Sequence, residues 1–161
     1  MPTNPFDFST GAVLTSAQLN AIGDFDTWSP TWTNITVGSG VTEAYYARIN
    51  ELVYWQLEFI GASNTVYSSS APFSFSLPSD APSVTNNGYA PMGTCWLRPD
   101  RGSTIYTGVV MVTNGGNALI YAQAANSTYL ANSGTRNSIP ATWQTSSPYA
   151  DILASGWYRT S

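Results

Sequence analysis

The chain has 161 residues, of which 43% are apolar, 14% aromatic and only 9% charged, against a usual charged share of about 25%. Its many aromatics and net charge of −4 exclude a solvated disordered chain, and the five basic residues (Arg48, Arg98, Arg101, Arg136 and Arg159) form no run that could track a nucleic acid or an acidic membrane. With no histidine, no lysine and a single cysteine, Cys95, one chain cannot build a Ser-His-Asp or Cys-His nucleophile, a histidine or cysteine metal site, a Schiff base, a phosphate loop or an intrachain disulfide.

From the N-terminus, Met1 to Phe8 lacks the positive and apolar regions of a signal peptide, and no later apolar run has the length of a membrane span. Synthesis in a cytosol without membrane insertion is the expectation. Pro2 and Pro5 keep the first residues extended. Thr15 and Gln18 then form a Thr-x-x-Gln capping box, with Leu14 and Leu19 spaced as a hydrophobic staple and Gly23 placed to end the helix. A helix this short is marginal alone. Residues 1–26 are therefore read as a docking arm whose apolar contacts come from Phe6, Phe8, Leu14, Leu19 and Ile22.

From residue 27 the pattern changes to short β-branched and aromatic runs separated by Gly, Pro, Asn and Ser, which predicts one β domain over 27–161. Strands are expected near 31–37, 42–49, 52–60, 73–77, 88–97, 104–113, 117–123 and 151–159, with weaker ones near 128–130 and 139–143. In the third of these, Val53, Trp55, Leu57 and Phe59 share one face. Asn50-Glu51 fits a tight hairpin, and Asn114-Gly115-Gly116 gives a stronger one. Eight or more short strands without intervening helices predict an all-β fold, an antiparallel β-sandwich of jelly-roll type, with an up-and-down barrel as the lesser alternative.

Carboxylates are the only catalytic chemistry left, because a pair of them can cleave glycosides. The candidates are Glu43, Glu51, Glu58, Asp80, Asp100 and Asp151. Glu58 alternates to the polar face of its strand, Asp80 and Asp100 lie beside prolines, and Asp151 opens a strand, so each reads as a solvated or turn residue and no catalytic site is assigned. No Asp-x-Asp-x-Asp loop offers a calcium site. Neither a metal nor an organic cofactor is expected. Cys95, beside Trp96 and without a histidine, reads as a small buried hydrophobe. Aromatics can stack on sugars, but most of those in strands are expected in the core or between subunits. Tyr67, Tyr129 and Tyr149, in expected loops, are the candidate ligand surface.

Three stretches carry a family resemblance. Phe8-Ser9-Thr10-Gly11-Ala12-Val13-Leu14-Thr15-Ser16-Ala17-Gln18-Leu19-Asn20 resembles the N-terminal attachment segment of small tailed-phage tail and fibre proteins. Trp28-Ser29-Pro30-Thr31-Trp32, followed by Ala44-Tyr45-Tyr46-Ala47-Arg48-Ile49, is similar to the opening of their β domain, and Ile139-Pro140-Ala141-Thr142-Trp143 with Gly156-Trp157-Tyr158 to its closing strands. Departures fall at Ile49-Asn50-Glu51 and Tyr149-Ala150-Asp151, where the family often has Gly-Lys and Gly-Asp.

The resemblance implies a non-enzymatic virion structural protein, either a tail fibre or minor tail protein acting in particle assembly and host attachment, or a capsid decoration protein or head fibre. A carbohydrate-binding module is the alternative from another class. Implied partners are two sister subunits in a homotrimer, other virion proteins through the arm, and a host-surface glycan. Such a protein is made in the host cytoplasm and carried on the virion.

Overall fold

The computed structural model describes residues 13, 15, 24–49, 51–78, 90–100, 104–112, 116–123, 138–145 and 149–160. Among them every regular element is a β-strand. In chain order these are β1 (Asp26–Thr27), β2 (Trp32–Thr33), β3 (Ile35–Thr36), β4 (Val41–Ile49), β5 (Leu52–Ile60), β6 (Val66–Tyr67), β7 (Ser74–Ser76), β8 (Ala90–Arg98), β9 (Tyr106–Val112), β10 (Asn117–Ala122) and β11 (Asp151–Arg159). No helix among the described residues is long and apolar enough to cross a membrane. The short helix expected after the Thr15 cap, over 16–22, and Phe6, Phe8, Leu14, Leu19 and Ile22, lie outside the described residues.

Nine strands form one antiparallel sheet in the order β1-β4-β5-β11-β8-β9-β10-β7-β2. The long strands pair because each alternates apolar and polar residues, so every second side chain can be buried. β4 and β5 are joined through 50–51, with Ile49 opposite Leu52, the register of the expected tight hairpin. The last strand, β11, inserts between β5 and β8 and ties the β4–β5 hairpin to the β8–β9–β10 meander. Pro91, which cannot donate to a ladder, stands at a bulge between β8 and β9 and beyond the β11 pairing.

The sheet is strongly curled. In a flat sheet β5 and β7, five positions apart, would lie about 24 Å from each other. Yet the rings of Trp55 on β5 and Phe75 on β7 have centroids 5.6 Å apart. The two ends of the sheet also meet. The Trp28 backbone N–H donates to Ala44 on β4 while its indole N–H donates to Ser76 on β7, and the Trp32 indole on β2 donates to Thr42 on β4. The expectation of two separate packed sheets thus becomes one continuous sheet whose halves face each other across a shared core.

That core holds Val53, Trp55, Leu57 and Phe59 of β5, together with Phe73, Phe75, Leu97, Val110, Ile120 and Ile152. Its aromatics pack edge-on or tilted, as in the contacts of Trp32 with Phe59 and Phe75 at 5.0 and 5.4 Å. A two-stranded ribbon, β3 with β6, adds a further cluster in which Tyr67 packs on Phe73 and Trp143.

Three local expectations change. The strand expected over 31–37 is two, because Asn34 takes a positive φ of 66° and sends β2 into the large sheet and β3 into the ribbon. Around 139–143 only Ile139 makes a bridge. The weak strand near 128–130 lies outside the described residues.

Candidate functional site

Strand alternation divides β4, β5, β11 and β8 into an inner and an outer face, and the outer face carries the chemistry. Cross-strand registers line up two rows there. Glu43, Glu58, Leu153 and Trp96 form one, and Tyr45, Gln56, Ser155 and Thr94 form the next. Between them lies an open groove of about 420 Å³. The Trp96 indole stands at one end of it, 57% exposed.

Glu43 and Glu58 sit directly opposite each other on neighbouring strands. Like charges in that position are destabilising in a sheet. Of the two glutamates, Glu58 acts on Arg98, whose guanidinium is held above its ordinary value first by hydrogen bonding to Asp151 and then by the charges of Asp151 and Glu58, with burial opposing. Arg98 is already engaged, since its Nε donates to Asp151 Oδ1 at 2.8 Å and its terminal nitrogen to Oδ2. Beneath the groove, the Cys95 thiol is 2% exposed and burial pushes it up to about 12, so it stays protonated and unreactive.

The same face has an apolar half. Tyr54 lies opposite Trp157, Leu52 lies opposite Ile49, and Phe25 packs edge-on against Tyr54 at 6.0 Å. These five side chains are between 40% and 63% exposed.

The sequence-expected residues are placed as follows. Glu43 and Glu58 stand opposite each other, and the charges of Glu58 and Asp151 both act on Arg98. Glu51 pairs with Arg159 at the surface, Asp100 is half-buried in the turn after β8, and Asp80 lies outside the described residues. Asp151 corrects its expectation as a solvated residue. It opens β11 but is fully buried, because the Arg98 fork supplies both carboxylate oxygens with donors.

Tyr67 is a second correction. Expected as an exposed loop residue, it belongs to β6 and is 5% exposed, because its ring completes the cluster with Phe73 and Trp143. Its hydroxyl finds no hydrogen-bond partner among the described residues, and burial, with the Asp151 charge adding, raises it well above the usual tyrosine range. Tyr149 is half-buried, and Tyr129 lies outside the described residues.

Trp96 is set aside by sequence reasoning with the other strand aromatics, and Gln56, Thr94 and Ser155 are passed over. Alternation alone could have found Trp96, because once Cys95 and Leu97 are taken as buried, the indole between them must point the other way. No protein-family model, curated protein or solved structure matches this chain.

Proposed function

We propose that this chain is a non-enzymatic structural protein of a tailed-phage particle, a tail fibre or minor tail protein that assembles as a homotrimer and takes part in host attachment. The observation that carries the reading is the apolar half of the outer face, where Phe25, Ile49, Leu52, Tyr54 and Trp157 stand exposed side by side. Contiguous apolar surface of this kind marks an interaction site. Phe25 belongs to this patch and lies near the end of the docking arm proposed over 1–26, which joins the assembly surface to the segment that resembles phage attachment segments.

The Trp28-Ser29-Pro30-Thr31-Trp32 stretch adds support. Its two tryptophans hydrogen-bond across the meeting ends of the sheet, which gives the motif a physical reason to open a β domain. We read the facing halves of the curled sheet as the two layers of a jelly-roll-like sandwich. The protein is made in the host cytoplasm and carried on the virion.

Immuno-electron microscopy of intact particles tests this reading. Label at the tail is the expected result. Label spread over the shell in tens to hundreds of copies would move the protein to capsid decoration, and unlabelled particles would refute the virion assignment.

A further inference from the structure

We infer that the outer-face groove between β4 and β8 binds a non-acidic saccharide, with Trp96 as the stacking platform. Its use in host attachment rests on the particle reading above, but the binding does not. Four observations lead to it.

The groove, at about 420 Å³, has the size of a small-ligand site. One side of it is the row Gln56, Ser155 and Thr94, which crosses three adjacent strands and so presents one amide and two hydroxyls over about 10 Å. Such groups donate and accept in the same way as the vicinal hydroxyls of a sugar. Along the adjoining row the acceptors Glu58 and Glu43 lead away from Leu153 and the exposed indole of Trp96, so a flat apolar surface and a set of strong acceptors face one opening. A sugar ring has an apolar C–H face and a rim of hydroxyl donors. It matches both.

Charge narrows the class. Glu43 and Glu58 line the groove, whereas no arginine among the described residues does, and Arg98 is held by Asp151. An anionic ligand such as a sialylated or phosphorylated glycan would meet two carboxylates and, among the described lining residues, no cation. A second copy of the chain is an equally poor occupant, because it would desolvate two opposed glutamates where interface centres are depleted of such residues. The apolar half of the face, with Tyr54 and Trp157, suits a sister subunit, and the groove suits a polyol.

The test uses the full-length chain in an array of defined neutral, amino-bearing and acidic glycans, followed by titration of the best binder with tryptophan fluorescence as readout. Binding to neutral or amino-bearing glycans is expected, with Trp96→Ala weakening it by roughly tenfold or more, about 1.4 kcal/mol. Gln56→Ala should weaken it less, and Trp157→Ala not at all. Trp96 is more than half exposed, so its variant should keep the parent melting temperature, which is measured alongside. Silence of the folded chain on every glycan, a preference for acidic glycans, or undiminished binding by Trp96→Ala would each overturn the inference. Failure here leaves particle labelling unaffected, and a chain that binds glycan but is missing from particles defeats the virion reading alone.

Discussion

Gly156 on β11 lies opposite both Gly93 on β8 and Trp55 on β5, and the three backbones approach so closely that a methyl group there has no room. A Cβ on Gly156 would collide with the Met92 carbonyl oxygen and come within 2.9 Å of the Trp55 ring. The Met92 oxygen and the Gly93 Cα, 2.8 Å from that Cβ, are backbone and cannot step aside. Gly156→Ala should therefore destabilise the domain by roughly 1–3 kcal/mol, the usual cost of overpacking, and chemical denaturation would measure it. An unchanged denaturation midpoint would mean that the three strands are less tightly apposed.

Cys95 gives a prediction of the opposite kind, in which chemistry changes and shape does not. Its thiol is raised in the folded chain to about 12, whereas the unfolded thiol titrates near 9. The unfolded state thus releases its proton first, so unfolding is favoured as pH rises. The stabilising contribution is complete below pH 9 and is lost progressively between pH 9 and 12. Melting temperature should fall over that window, and Cys95→Ala should lower the starting stability but flatten the alkaline slope. A slope unaltered by the substitution would assign the alkaline loss to other groups, Tyr67 among them, since its hydroxyl is also raised by burial.

Among elements, the short segment joining β1 and β2 has the greatest leverage. β1 and β2 are the two ends of the nine-stranded sheet, yet only residues 28–31 separate them. So short a connection spans at most about 17 Å, whereas the ends of a flat nine-stranded sheet would be about 38 Å apart. Curling is thus a requirement of chain connectivity, and Trp28 and Trp32 hold the result in place. Trp32→Ala removes a ring that packs on Phe59 and Phe75 as well as the bond to Thr42, and should cost about 3 kcal/mol, the low end for truncating a tryptophan. Trp32→Phe keeps most of the packing and loses one hydrogen bond, for roughly 1 kcal/mol. Equal thermal shifts for the two variants would show that the ring fills no space in the closure.

At the scale of the whole molecule, the outer face divides, on the proposed reading, between assembly and recognition. Light scattering of the full-length protein at tens of micromolar should give a trimer mass, and the double variant Tyr54→Ser, Trp157→Ser should shift it toward monomer. A strictly monomeric parent protein would remove the role proposed for the apolar half. Deleting residues 1–23, the part of the 1–26 arm ahead of Phe25 and β1, should leave the melting temperature nearly unchanged while abolishing incorporation into particles, because β1 and Phe25 are retained. Unfolding of the β domain on that deletion would make the arm part of the core.

The sequence by itself determined the all-β class and the course of the long strands, because alternation of apolar and polar residues is a local property with a period of two. It placed β5 with its inward face of Val53, Trp55, Leu57 and Phe59, and β11 at Asp151–Arg159, and it marked Cys95 as buried. Beyond the two hairpin pairs, β4 with β5 and β9 with β10, tertiary structure alone decided which strands became neighbours, since backbone hydrogen bonds are the same for every residue and carry no address. From that pairing came the burial of Asp151, whose partner Arg98 lies 53 residues away, and the loss of Tyr67 to the core through Phe73 and Trp143. The groove arose in the same way. Glu43, Gln56, Thr94, Trp96 and Ser155 come from four strands, and they share a surface only because β11 inserts between β5 and β8.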